Sequence, residues 1–307
     1  MQKTISRPVR FEGVGLHSGR PAVLRLLPAP AGHGLWFKRT DLAPAAALVP
    51  ALWDAVEQVE LCTRIVNAAG TTVSTIEHVM AAIAGCGIQN LMIEIDGPEV
   101  PILDGSAAPF VDEILSVGLR SQSAPIRALK IIDTVEVRNG PAHARLDPAD
   151  GLEIDFSIDF SDAAIGRQEK RLSLANGTFV HELCDSRTFC RASDVEAMHA
   201  RGLALGGTFD NAVVVDGARV LSPGGLRHRD EAVRHKMLDA LGDLALAGAP
   251  ILGRYTGIRA GHALTNALLR TLFARRDAFT IVEADETMLA RLPGAGLRPE
   301  DAPALVA

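Results

Sequence analysis

The stretch His235-Lys236-Met237-Leu238-Asp239-Ala240-Leu241-Gly242-Asp243 restricts the fold of this chain more than any other. It lacks proline and β-branched residues, and Met237, Leu238, Leu241 and Leu244 recur at helical spacing, so it reads as a helix with one apolar flank. Residues four apart lie one above another on a helix, which puts His235, Asp239 and Asp243 in a polar stripe beside that flank. Lys236, about 100° further round, sits at the edge of the stripe. The apolar flank needs a core, and the stripe needs either water or other polar groups. Two potential ligands one turn apart are how a single helix grips a divalent ion; an ordinary solvated His–Asp contact is the alternative.

The 307 residues suffice for two domains, and a hydrophobic share of 48% against 22% charged supplies two cores. An aromatic share of 4%, a net charge of −6 and the lack of any Lys/Arg block exclude a nucleic-acid partner. The N-terminus shows no apolar signal region, and no run approaches the ~20 apolar residues of a membrane span. A cytoplasmic protein without an integral membrane segment is expected. Cys62, Cys86, Cys184 and Cys190 show no CxxC spacing and read as reduced thiols.

Along the chain, Val9-Arg10-Phe11 and Val23-Leu24-Arg25-Leu26 read as strands around the glycine-punctuated loop 13–19. His17 in that loop is a turn residue or a ligand contact. Residues 61–66 and 71–73 read as strands. Ser74 and Glu77 have the spacing of a capping box, while Glu77 and His78 could instead point from the first helical turn into a site. The helix ends at Gly85-Cys86-Gly87; strand 90–95 and helix 108–119 follow. The polar, pattern-free residues 121–125 mark a boundary, giving an N-terminal α+β domain over 1–122 and a C-terminal one over 126–300. The second half restarts with strands 129–137, 143–146 and 152–160, then a helix over 194–201 capped by Ser193 or Asp194. Strand 251–258 and a helix opening at Gly261-His262 follow, and the last dozen residues read as frayed. A short repeat, Asn90 to Gly97 against Asn211 to Gly217, suggests a duplicated domain.

Two imidazoles and a carboxylate suit Zn²⁺ with one open position, and also Fe²⁺. Around His78, His235 and Asp239, Glu77 could serve as base and Lys236 as oxyanion stabiliser. A protonated His262 could act as oxyanion donor or leaving-group acid, its charge held by Asp243. A non-haem Fe(II) oxygenase uses a similar ligand set, and an idle nucleotide-sugar-binding module is a further alternative.

Five separated segments then narrow the reading: Gly13-Val14-Gly15-Leu16-His17-Ser18-Gly19, Ser74-Thr75-Ile76-Glu77-His78, the run Pro101 to Phe110, Val233-Arg234-His235-Lys236-Met237-Leu238-Asp239, and Gly261-His262-Ala263-Leu264. In this order they resemble the motifs of the UDP-3-O-acyl-N-acetylglucosamine deacetylases, from about Thr4 to the final helix. The resemblance implies an α+β fold of two similar domains, each a β-sheet packed with two helices, with the active site between them. It implies a zinc metalloamidase, one Zn²⁺ per chain, releasing acetate from UDP-3-O-(3-hydroxyacyl)-N-acetylglucosamine in the committed step of lipid A biosynthesis. It further implies a monomer whose partner is this nucleotide-sugar lipid precursor. By the same resemblance, His78, His235 and Asp239 hold the metal and Glu77 is the general base. His262, Lys236, Asp243 and Thr188 complete the catalytic set. His17, Phe160, Phe189, Asp194 and Arg259 bind substrate, and Gly207 and Phe209 belong to the acyl passage. Arg259 stands where a lysine is common. Cys190-Arg191-Ala192-Ser193 departs from a more apolar family pattern, so Arg191 either narrows the passage or snorkels away, leaving acyl length open.

Overall fold

Strict alternation builds the first sheet. Phe11, Leu24, Leu26, Ile93 and Ile95 are buried on one face, while Arg10 and Arg25 are exposed on the other. In the computed structural model, which describes residues 1–303, five strands run in the order Val9–Val14, Pro21–Pro28, Leu91–Ile95, Leu35–Arg39, Leu48–Pro50. Helix α1 (Glu77–Gly85) and helix α2 (Ala108–Val117) share the core beneath this sheet, and Phe110 meets Phe11 edge-on with centroids 4.9 Å apart. Nearly every residue of α1 is buried, as expected of a helix that is apolar all round beyond Glu77 and His78 in its first turn.

The second half repeats the plan around a seven-stranded sheet. Its inner strand Ile251–Ile258 runs parallel to Leu152–Asp159 and Arg127–Ile131 and antiparallel to Ala142–Asp147. Leu152, Ile154, Phe156 and Ile158 are buried by strict alternation. Helix α3 (Ala192–Ala200) buries no residue. Helix α4 (Glu231–Ala245) precedes the inner strand, and helix α5 (His262–Ala274) follows it. Around its inner strand each half therefore runs helix, strand, helix, and each has a small three-stranded sheet ahead of that unit: Val56–Glu57, Arg64–Val66, Thr72–Ser74 before α1, and Phe189–Arg191, Val213–Asp216, Arg219–Val220 before α4. Helices α1 and α4 pack closely on each other, which brings the two halves into contact.

The structure revises several local expectations. Stretch 129–137 is two strands, Arg127–Ile131 and Val135–Asn139. The Asp133 carboxylate captures the Thr134 N–H at 2.8 Å and redirects the chain to a different partner strand. The duplication is real but lies elsewhere than the sequence repeat: Leu91–Ile95 corresponds by position to Ile251–Ile258, whereas Val213–Asp216 belongs to the small sheet ahead of α4. Helix α3 begins at Ala192, with Arg191 at its N-cap position and no side-chain cap from Ser193 or Asp194. The tail through residue 303 is packed, with a 3-10 turn at Pro299–Asp301 and Leu297 and Ala302 against the core; residues 304–307 of the predicted frayed end lie outside the described residues.

Candidate metal and active site

The first turn of α1 is set by its lead-in. Thr75 adopts a left-handed backbone, with φ of 57°, and its hydroxyl donates to Glu99 Oε1 at 3.0 Å. This turn leaves Ser74 inside the preceding strand and makes Ile76 the N-cap residue, so the capping box does not form. Glu77 is thereby free to aim inward, and its Oε2 accepts the Thr63 N–H at 3.0 Å. Glu99 also accepts from His17 N at 2.7 Å and Ser18 N at 2.8 Å, tying the His17 loop to the start of α1.

Opposite lies the polar stripe of α4. His78 and His235 meet edge-on with ring centroids 4.9 Å apart. Asp239 Oδ1 stands 3.7 Å from His78 Nε2 and 3.3 Å from His235 Nε2. Ligand atoms of the three residues all lie within 4.8 Å of one another, and all three side chains are buried. The Ser186 carbonyl lies 3.0 Å from His235 Nδ1, which fixes the proton there and turns the Nε2 lone pair toward the cluster. Asp239 Oδ1 is buried without any hydrogen-bond donor among the described residues, while Oδ2 accepts from Lys236 Nζ at 2.7 Å. A buried carboxylate oxygen facing two imidazole lone pairs has nothing to stabilise it except a cation, so these residues fit a divalent ion.

The charges around them are strongly displaced. Burial pushes the His78 imidazole down to about 3 and also lowers that of His235, so both are neutral, as ligands must be. Burial by itself would raise the Asp239 carboxyl, but the charges of Lys236 and His262 hold it well below the usual carboxylate range. Burial lifts Glu77 to about 7, against the pull of His262. Burial would lower His262, but Asp243 and Asp239 outweigh it and raise the imidazole to about 9.

His262 opens α5, its Nδ1 2.9 Å from Asp243 Oδ2 and its Nε2 4.0 Å from Glu77 Oε1 and 3.9 Å from Asp239 Oδ2. Asp243 Oδ1 in turn accepts from Thr63 Oγ1 at 2.5 Å. A carboxyl group titrating near neutrality, a protonated imidazole facing it and a ligand triad beside them are suited to moving a proton on and off a bond being hydrolysed.

The outer residues separate into two groups. Phe189 lies 6.2 Å from His235 and 5.4 Å from Phe160, continuing the line of rings outward from His78. Thr188 is held beside it by backbone bonds to Gly105 and Val213. Burial lowers the His17 imidazole, with Glu99 opposing and His262 adding to the effect, and His17 Nδ1 accepts from Ala204 N at 3.3 Å. Asp194, Phe209 and Arg259 are exposed. Arg259 pairs with Asp159, and Gly207 sits in the turn closed on Ala204. Arg191 Nε donates to Asp162 Oδ2 at 2.7 Å.

Sequence reading missed Thr63, Glu99, Ser186 and Gly242. A Cβ at Gly242 would stand 2.1 Å from the Glu77 carbonyl oxygen, so only glycine lets α4 approach the first turn of α1. The glycine lay within the opening motif but was read only as part of a helix. The carbonyl of Ser186 leaves no mark in a sequence.

Comparison with known proteins bears on the same residues. A UDP-3-O-acyl-N-acetylglucosamine deacetylase of Shewanella frigidimarina is 46% identical over 300 residues, covering 96% of this chain and 98% of its own. Those of Shewanella oneidensis and Shewanella baltica are each 46% identical over 299 residues, covering 95% of this chain and 97% of theirs. Residues 2–274 match the family described as UDP-3-O-acyl N-acetylglycosamine deacetylase. Since this span ends at the last residue of α5 and takes in the whole polar cluster, the chain belongs to the UDP-3-O-acyl N-acetylglycosamine deacetylase family.

Proposed function

We propose that this chain is a zinc-dependent amidase that removes the N-acetyl group of UDP-3-O-(3-hydroxyacyl)-N-acetylglucosamine as acetate, the committed step of lipid A biosynthesis, working as a cytoplasmic monomer. The observation that carries the reading is the orphaned, buried Asp239 Oδ1 facing His78 and His235, flanked by Glu77 and His262. His78, His235 and Asp239 would hold one Zn²⁺, though the donor set also suits Fe²⁺. Bound there, the ion supplies a Lewis acid that polarises the amide carbonyl and acidifies a water.

The remaining chemistry belongs to the protein. Glu77 takes the proton of the attacking water; its raised pKa near 7 matches that task. Protonated His262 faces the opposite side, stabilises the developing oxyanion and passes its proton to the leaving amine, with Asp243 holding its charge. Lys236 anchors Asp239 and adds positive charge at the reacting oxygen, and Thr188 hydrogen-bonds the same group. Phe160, Phe189 and His17 would border the sugar and uridine, with Asp194 and Arg259 at the rim and Gly207 and Phe209 along the acyl passage. With the chain divided into domains over 1–122 and 126–300, the packing of α1 on α4 supports a substrate lying across both.

The test is acetate release from the 3-hydroxytetradecanoyl substrate with and without a zinc chelator. Release should disappear with chelator and return with Zn²⁺. Glu77→Ala should keep its metal and fold yet lose roughly 10²–10⁴-fold in turnover. Wild-type rates in that variant would remove Glu77 as the base.

A further inference from the structure

A cavity of about 640 Å³ lies on the face of α4 turned away from the ligands, beyond the C-terminal end of α1. Leu241 and Ala245 line it; each is two residues past a member of the polar stripe, hence about 200° round the helix from it. Its volume is that of a small-molecule site, for which ~300–1,000 Å³ is usual. The proposed chemistry and its substrate do not use it.

Its walls are aliphatic, drawn from both halves of the chain, with Trp36 the one aromatic residue. Ser121 and Gln89 are almost the whole of its neutral polar side chains, too few to orient a sugar or a nucleotide base. In a chain of net charge −6, no Asp or Glu lines the cavity, and its titratable side chains are the bases Lys3 and His33. Lys3 Nζ has only the Gly294 carbonyl, at 3.4 Å, and forms no ion pair among the described residues. Burial lowers its pKa, with the Cys86 thiol offsetting part of the effect. A partly buried ammonium without an anion, at the edge of an aliphatic chamber, is complementary to one kind of molecule.

We infer that this cavity binds an unbranched acyl chain with a terminal carboxylate, the chain against α4 and Trp36 and the carboxylate toward Lys3. The inference is independent of the proposed deacetylation. A ligand there would press on the face of α4 opposite His235 and Asp239.

The test is titration of the metal-loaded, full-length Trp53→Phe protein with tetradecanoate and with its methyl ester, read by Trp36 emission and by calorimetry. The expected result is saturable binding of one tetradecanoate per chain with a shift of Trp36 emission. Lys3→Gln should weaken the acid at least tenfold and leave the ester unchanged. Ala84→Phe, which fills the chamber, should abolish both. Absence of saturable binding, binding that leaves Trp36 emission unmoved, or equal acid affinity in Lys3→Gln would each overturn the inference.

Discussion

Helices α3 and α4 belong to the same half of the molecule and differ in almost every physical respect. α4 buries most of its residues, including four ionisable ones: Glu231, His235 and Asp243 are held by partners from distant elements, and Asp239 by Lys236 one turn away on α4 itself. α3 buries none of its residues, and Arg191, at its N-cap, pairs with Asp162 and Asp194. Charge in α4 is over-determined because an unpaired buried charge is costly. Charge in α3 is solvated and weakly constrained. The contrast separates a region whose geometry is dictated from one whose geometry is free to vary.

The contrast can be broken first at the ligands. His235→Ala should abolish stoichiometric metal and with it turnover, whereas a metal-replete variant would remove His235 from the ligand set; elemental analysis of the purified protein decides. Gly242→Ala should be nearly as damaging despite adding one methyl group. The Cβ would meet the Glu77 carbonyl oxygen at 2.1 Å, forcing α1 and α4 apart. Overpacking of this kind costs about 1–3 kcal/mol, and a 1 Å displacement of a catalytic group can cost ~10²-fold in rate. A variant with wild-type kcat would show that the close approach is dispensable.

Glu231 sharpens the comparison through pH. Burial would raise its carboxyl, but hydrogen bonds from the Arg187 side chain and from the N–H groups of Arg187 and Arg227 lower it below the ordinary glutamate value. A depressed folded-state pKa contributes stability that is complete above the unfolded value of about 4.3 and lost as pH falls through the folded one. Glu231→Gln should therefore destabilise the protein by about 3–5 kcal/mol at neutral pH, with a gap that narrows in acid. Denaturant melts at pH 7 and below pH 4 measure this, and a constant gap would refute the linkage. The smallest effect belongs to α3: Arg191→Ala should change stability by less than about 1 kcal/mol, since its pair with Asp162 is 38% exposed on the arginine side. A larger loss in thermal melts would show that the rim is structurally constrained.

Much of this was legible from residues alone. Alternation exposed the strands of both sheets, and the i, i+4, i+8 stripe located half of the candidate site, because periodicity is a local property of the chain. The stretch 129–137 was misread because a turn made by one aspartate side chain does not interrupt hydrophobicity. The supposed capping box failed for a related reason: spacing permits the bond, but Thr75 and Glu99 set a backbone that excludes it.

What the sequence by itself determined is the inventory of chemical groups, the helices and strands that carry them, and the face of α4 on which three of them stand. Only the tertiary structure decided that Glu77 leaves its own helix end for the Thr63 amide, that the Ser186 carbonyl sets the tautomer of His235, and that Gly242 lets α1 and α4 close on one another. Backbone donors and acceptors are the same at every residue, and a close approach depends on the absence of atoms, so neither is written in residue type until the chain has folded.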